Sequence, residues 1–105
     1  MRFTRIIIIS LVILLALPMI AKDHTVDQKD KQFSIKELTI KVGDTINFRN
    51  SDPFFHNIYS LSPIKIFDLG SYAQGQSKSV KFDKAGEVEV NCAIHPSMKL
   101  KVKVE

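Results

Sequence analysis

The chain has 105 residues, 45% of them hydrophobic and 25% charged, and its formal net charge is +4. We expect a chain of this length to fold around one core as a single small domain, because it leaves little stability to divide between two domains. The lysines near the C-terminus alternate with apolar residues over positions 99–103, as on the solvent face of a strand, which argues against nucleic acid as a partner.

Residues 1–21 have the layout of a secretory signal peptide. Arg2 and Arg5 precede an almost unbroken apolar run over residues 6–17, and the small residue Ala21 ends the segment. The alternative is an uncleaved membrane anchor, because the apolar run is close to the roughly 17 residues that span a bilayer and Met19 is large for its place near a cleavage site. In both cases we expect the remaining chain outside the cytoplasm, in the periplasm or tethered to its membrane.

The rest of the chain has the pattern of an all-β domain. Residues 22–31 are polar and charged, and we expect them to be a lead-in to a domain over residues 32–105. Short segments with period-two alternation then follow, separated by turn residues, which predicts an antiparallel β-sandwich. The segment 62–77 is the least regular and is predicted to cross between the sheets, with room for one helical turn. The predicted strands are 33–35, 38–42, 45–49, 56–61, 78–82, 87–92 and 100–104.

The only cysteine, Cys92, cannot form a disulfide within the chain. In an exported protein a lone thiol is prone to oxidation unless it is buried as a small apolar residue or bound to a metal. His95 and Met98 follow it within seven residues, so a thiol, an imidazole and a thioether share one loop. Strand alternation on both sides of this loop predicts that Cys92 and Met98 point inward.

A second imidazole, His56, follows the turn at residues 51–55 and begins a predicted strand, so it can reach the same end of the sandwich. Each residue alone is usually an ordinary core or surface residue. One ion explains all of them together: two imidazoles and a thiolate in a plane with a weak axial thioether form a blue copper site. The predicted ligands of this single copper are His56, Cys92, His95 and Met98, and the predicted activity is one-electron transfer. We assign no role to His24.

The residues around these ligands resemble the cupredoxins, the family of blue copper proteins. FDKAG at 82–86 precedes CxxHPxM at 92–98 with a spacing similar to that of the amicyanins within this family, and more distantly of plastocyanins and pseudoazurins. TIKVGDTI at 39–46 and HNI at 56–58 are similar to the strand before the first ligand and to its first step. The resemblance covers residues 33–105, although Ala93 and Ile94 replace the usual small polar residue and proline.

This resemblance implies a Greek-key sandwich and a type 1 copper site with the four ligands above. It also implies that Asn57 ties the two ligand loops together and hydrogen-bonds the thiolate. A redox protein partner is then expected to dock near His95 on an apolar patch. The residues available for this patch are Pro53, Phe54, Ile94 and Pro96; the alternative is that Phe54 or Phe55 fills the core.

Other functions use the same sequence features differently. A copper-handling protein would capture or deliver the ion with these ligands without cycling it. An enzyme of the multicopper type needs a second copper site with paired histidines, and only His24 remains for one. A metal-free adhesion domain would leave the ligand spacing as coincidence. We therefore expect a monomeric electron carrier without catalytic residues or substrate.

Overall fold

The structure is a computed structural model that describes residues 20–105, so the predicted signal segment lies outside the described residues except for its last two. Nine strands form in the described part of the chain, which confirms the all-β class. Between residues 20 and 105 we find no helix that is long and apolar enough to cross a membrane. The strands are β1 (Asp23–Lys29), β2 (Gln32–Phe33), β3 (Glu37–Ile40), β4 (Thr45–Asn50), β5 (His56–Ser60), β6 (Phe67–Tyr72), β7 (Ser77–Lys81), β8 (Gly86–Cys92) and β9 (Lys99–Val104).

The strands form two sheets with the orders β2-β1-β4-β7 and β3-β9-β8-β5-β6. Alternate residues of most strands point between the sheets, as period-two sequences require. Ile46 and Phe48 of the first sheet and Val88 and Val90 of the second are fully buried. The packed core between the sheets holds the strands in place, and with them the strand ends at which the loops begin.

Two of the seven strand pairings are parallel, so the sheets are mixed and not purely antiparallel as the sequence predicted. β1 runs parallel to β4, and β3 runs parallel to β9. The chain leaves the first sheet after β2, adds β3 to the second sheet and returns with β4. Strands that are reached by such crossings can enter a sheet in either direction, whereas a tight hairpin always gives an antiparallel pair.

The polar lead-in is a strand. β1 pairs with β4 from Asp23 opposite Thr45 to Gln28 opposite Asn50, so the sandwich begins before residue 32. Its two fully buried side chains are Val26 and Gln28. Because only one of them is apolar, the alternation that marks a strand is hidden in the sequence.

The irregular segment 62–77 contains β6, which forms the edge of the second sheet next to β5. Only Tyr72 of this strand is buried, and its register against β5 shifts between Asn57 and Tyr59. Gly70 has a φ of 69°, a conformation that glycine adopts without strain. The register shift and the exposed edge remove the regular alternation, and no helical turn forms there.

The two ends of the sandwich carry different loops. We call the end with the turn at 51–55 and the loop at 93–98 the upper pole, and the opposite end the lower pole. At the lower pole, the Asp44 carboxylate accepts hydrogen bonds from the main-chain N–H groups of Lys22 (2.9 Å) and Lys41 (3.0 Å) and pairs with the His24 ring (2.9 Å). These hydrogen bonds lower the Asp44 pKa from 3.8 to about 2, and the bond from Lys22 has the largest effect.

We expect Asp44→Asn to lower the melting temperature at pH 7 by on the order of 5 °C. The folded-state pKa lies below the unfolded value, so the stabilisation is complete above about pH 4 and disappears as the pH falls through about 2. Thermal unfolding at pH 7 and at acidic pH measures the difference, which should shrink towards pH 2. Asp23→Asn, an exposed aspartate of the same pole, is the control; equal losses in both variants would contradict the role of Asp44.

Candidate metal centre

Three predicted ligands meet at the upper pole. Cys92 ends β8, His56 begins β5, and His95 lies in the loop at 93–98. The Cys92 Sγ atom lies 3.5 Å from His56 Nδ1 and 3.8 Å from His95 Nδ1. All three donor atoms lie within 4.8 Å of one another.

These distances fit one bound ion. Three donors placed in a plane about 2.1 Å from a central metal lie about 3.6 Å from one another. Both sulfur–nitrogen distances, 3.5 and 3.8 Å, are close to this separation. A thiolate and two imidazoles in trigonal array are the donor set of a blue copper site. The residues therefore fit copper.

His56 is held by a buried carboxylate that the sequence analysis did not identify. Its Nε2 atom lies 2.7 Å from Asp52 Oδ2, and both side chains are buried. With a proton on Nε2 donated to this carboxylate, the lone pair of Nδ1 faces the Cys92 sulfur. A carboxylate that fixes the tautomer and orientation of a ligand histidine is a common partner of metal sites.

Asp52 has three further contacts. Its carboxylate accepts the main-chain N–H groups of Asp30 (2.7 Å) and Lys31 (3.1 Å), and its own N–H donates to Asn50 Oδ1 (2.8 Å). Burial raises the Asp52 pKa, but the hydrogen bonds from His56, Lys31 and Asp30 together outweigh it, so the pKa is lowered. Asp52 is thus ionised at neutral pH beside a ligand. Its signal in the sequence was only its position four residues before His56.

His95 is half-buried, and its ring packs against the rings of Phe54 (5.1 Å between centroids) and His56 (5.0 Å). Burial is the main cause that lowers the His95 pKa, followed by the charges of His56 and Lys31. Phe54 is itself half-buried and packs against both imidazole rings, whereas Phe55 is 57% exposed. Of the expected patch residues, Pro53, Ile94 and Pro96 are exposed.

Met98 is buried at an inward-facing position immediately before β9, as the alternation predicted. Its main-chain N–H donates to the carbonyl of His95 (3.0 Å), which closes the ligand loop into a turn. The loop thus brings the thioether residue back into the core after the exposed residues Pro96 and Ser97. Its role as axial ligand stays a prediction.

Asn57 joins the ligand elements through its main chain and not through its side chain. Its carbonyl accepts the N–H of Ala93 (2.9 Å), which ties β5 to the start of the ligand loop. Its side-chain nitrogen, oriented to satisfy its neighbours, donates to Asp68 Oδ1 (2.9 Å) and to the Gly70 carbonyl (3.3 Å). The side chain therefore contacts β6, where the register of β5 and β6 shifts.

A buried polar pair lies in the core near the site and was also missed. Gln28 Nε2 donates to the Tyr72 hydroxyl, which joins β1 of one sheet to β6 of the other. Burial, and then the charge of Cys92, raise the Tyr72 pKa. Neither residue belongs to a recognisable motif, so no sequence signal could have indicated the pair. His24 takes no part in the site, because it pairs with Asp44 at the lower pole.

Comparison with known proteins agrees with this site. The family described as copper binding proteins, plastocyanin/azurin family, matches residues 20–105. Amicyanin from Paracoccus denitrificans is 32% identical over 87 residues, which cover 76% of this chain and 63% of the relative. A Cu(I) amicyanin variant aligns with a TM-score of 0.74 at 28% identity, over 79% of this chain and 82% of the other. A copper-containing nitrite reductase from Thermus scotoductus aligns with a TM-score of 0.73 at 29% identity, over 79% of this chain but 22% of that enzyme.

Proposed function

Because the chain belongs to the plastocyanin/azurin family of copper-binding proteins, we propose that it is an exported type 1 copper protein that carries single electrons between redox partners. The observation that carries this proposal is the trigonal arrangement of Cys92, His56 and His95, with sulfur–nitrogen distances of 3.5 and 3.8 Å. Copper, when bound, supplies a one-electron couple. The likeness to nitrite reductase concerns a minor part of that enzyme, so it gives no support for nitrite reduction by this chain.

The chain's own residues keep the geometry of the site constant. Cys92 and His56 are fixed by the paired strands β8 and β5, with Ile58 opposite Cys92, and His56 is fixed further by Asp52. Met98 is proposed as the weak axial ligand that tunes the reduction potential. Donors that do not move between oxidation states require little reorganisation, which makes electron exchange fast. Burial of Cys92 and His56 also excludes water and opposes ready release of the ion, which favours a carrier of electrons over a carrier of copper.

The proposed signal peptide accounts for export. Cleavage after Ala21 would leave Lys22 as the first residue, and the Lys22 main-chain N–H is already hydrogen-bonded to Asp44. Mass spectrometry of the protein from the periplasmic and membrane fractions of a bacterial host tests this step. We expect periplasmic protein whose mass lacks residues 1–21. Protein in the membrane fraction whose mass still includes them would favour the anchor.

The function itself is tested by adding Cu(II) to the domain and recording its absorption spectrum and its voltammogram. We expect an intense blue thiolate-to-copper band and a reversible one-electron couple. The rival copper-handling function predicts an irreversible or absent couple and rapid loss of the ion to a chelator. That result would overturn the carrier proposal while leaving the copper site intact.

We expect Ile94→Lys to slow electron self-exchange about tenfold, because two copies must bring the surfaces around their half-buried His95 rings together and a new charge opposes that contact. Ile94 is 48% exposed beside His95. Line broadening in NMR spectra of partly oxidised protein measures the rate. Ile66→Lys, at a 68% exposed isoleucine outside the upper pole, is the matched control. An unchanged rate in Ile94→Lys would refute docking through the apolar patch.

A further inference from the structure

The turn that joins β1 to β2 has an unusual backbone. Its two residues, Asp30 and Lys31, have φ angles of 55° and 57°, and Lys29 pairs with Gln32 on either side. Two-residue hairpin turns of this kind favour glycine and asparagine, and lysine rarely adopts a positive φ. Asp52 stabilises this turn conformation, because its carboxylate accepts the main-chain N–H groups of both residues. The same carboxylate orients His56, so the turn and the metal site are fixed to each other.

This anchoring places the Lys31 ammonium near the half-buried predicted ligand His95. Lys31 Nζ lies 5.7 Å from the centre of the Phe54 ring, within the range of a cation–π contact. The Phe54 ring in turn lies 5.1 Å from the His95 ring. Lys31, although its positive φ is unusual for lysine, therefore holds its charge close to the site. Only the side chains of Phe54 and His95 separate it from Cys92.

More lysines continue this charge along the ligand loop. Two adjoining grooves share Lys36, Ser97 and Lys99; Lys31 lines the first groove and Lys101 the second. All four lysines are exposed. The lysine ion pairs found among residues 20–105 involve other lysines, Lys65 and Lys103. The acids that line these grooves are Asp30 and Glu89, so the flank of the loop has a net positive charge.

We propose that Lys31, Lys36 and Lys99 form a basic docking flank for a carboxylate-bearing face of the redox partner. The inference rests on the proposed electron-carrier function. Exposed apolar residues beside His95, bordered by unpaired lysines, have the composition of a protein–protein contact with an apolar centre and a polar rim. Complementary charges would steer the partner so that His95 faces its redox centre.

The test uses the reduced copper-loaded protein and two small oxidants of opposite charge, hexacyanoferrate(III) and tris(phenanthroline)cobalt(III). In stopped-flow mixing each oxidant takes one electron from the protein. We expect Lys31→Glu/Lys36→Glu to lower the ratio of the anionic to the cationic rate constant about tenfold at low ionic strength and much less in concentrated salt. Lys41→Glu/Lys84→Glu, with the same charge change at the lower pole, should alter the ratio far less. Equal changes in both double variants would overturn the proposal.

A hexaglutamate peptide then separates a protein face from a small anion. It should slow the reaction with hexacyanoferrate(III) in the unaltered protein but not in Lys31→Glu/Lys36→Glu, and inorganic phosphate at equal ionic strength should have a weaker effect. Equal inhibition by phosphate would indicate an anion site and refute the protein docking flank. Peptide binding is also followed by NMR shifts of residues 29–36 and 97–101, which does not depend on electron transfer. If the copper protein exchanges no electrons with either oxidant, the carrier function fails, and these shifts still decide whether the flank binds carboxylates.

Discussion

Cys92→Ser is expected to abolish the blue absorption band and to weaken copper binding by roughly 100-fold or more. If the binding free energy of a four-ligand site is shared equally, each ligand contributes about 3 kcal/mol. Serine keeps nearly the same shape, but its hydroxyl is not ionised at neutral pH and is a hard donor that Cu(I) disfavours. Copper titration with a competing chelator, together with the spectrum, measures both effects.

Val90→Thr is the matched control for this experiment. Val90 lies on the same strand and the same buried face as Cys92, so the variant also adds a hydroxyl to the core, at a cost of about 1–3 kcal/mol in stability. It should keep the band because it removes no donor. A blue band that survives in Cys92→Ser would contradict a copper site that contains the Cys92 thiolate.

The meeting of the ligands could be predicted because strand alternation determines on which side a residue lies. Val88 and Val90 precede Cys92 with the same parity. Met98, immediately before β9, and Leu100, on β9, share that parity, and all of them are buried. A buried core on one side of each strand leaves a single register, since a slip by one residue would expose every apolar side chain. The loop between the two strands is short, so its ligands had to return to the same pole.

β1 and β6 could not be predicted because their buried positions are not regularly apolar. β1 buries Gln28, whose side-chain N–H donates to the Tyr72 hydroxyl across the core. That partner lies on β6, an element that was itself assigned as an irregular connection. A polar residue whose partner is 44 positions away carries no local signal of burial.

Asp52 was missed for a different reason. In the segment NSDP, at positions 50–53, an aspartate before proline has an ordinary explanation as a turn residue. The Asp52 carboxylate accepts three hydrogen bonds, one from His56 and two from the β1–β2 turn. That turn follows β1, the strand that the sequence did not predict. The orientation of the first ligand therefore depends on the element that was hardest to recognise.

Asp52→Asn is expected to raise the reduction potential by up to about 100 mV. The Asp52 carboxylate lies across one imidazole ring from the centre of the donor triangle, at about 7 Å. At an effective dielectric constant of about 20 its charge contributes about 2.4 kcal/mol, which corresponds to about 100 mV for one electron. The charge favours the more positive oxidation state, so its removal favours Cu(I). Protein-film voltammetry measures the change.

Asp30→Asn separates the charge from its position in the fold. Asp30 is exposed, and its main-chain N–H donates to the Asp52 carboxylate. Asp30→Asn therefore also removes one negative charge near the site, but solvent screens that charge. The reduction potential should change by only a small fraction of the Asp52→Asn effect. Asparagine at position 52 also replaces one acceptor oxygen by an amide that cannot accept the N–H groups facing it. We therefore expect Asp52→Asn to loosen the β1–β2 turn as well. A potential that stays constant in Asp52→Asn while the melting temperature falls would show that the carboxylate only clamps the turn, because a charge next to a ligand cannot be removed without changing the relative energies of the two oxidation states.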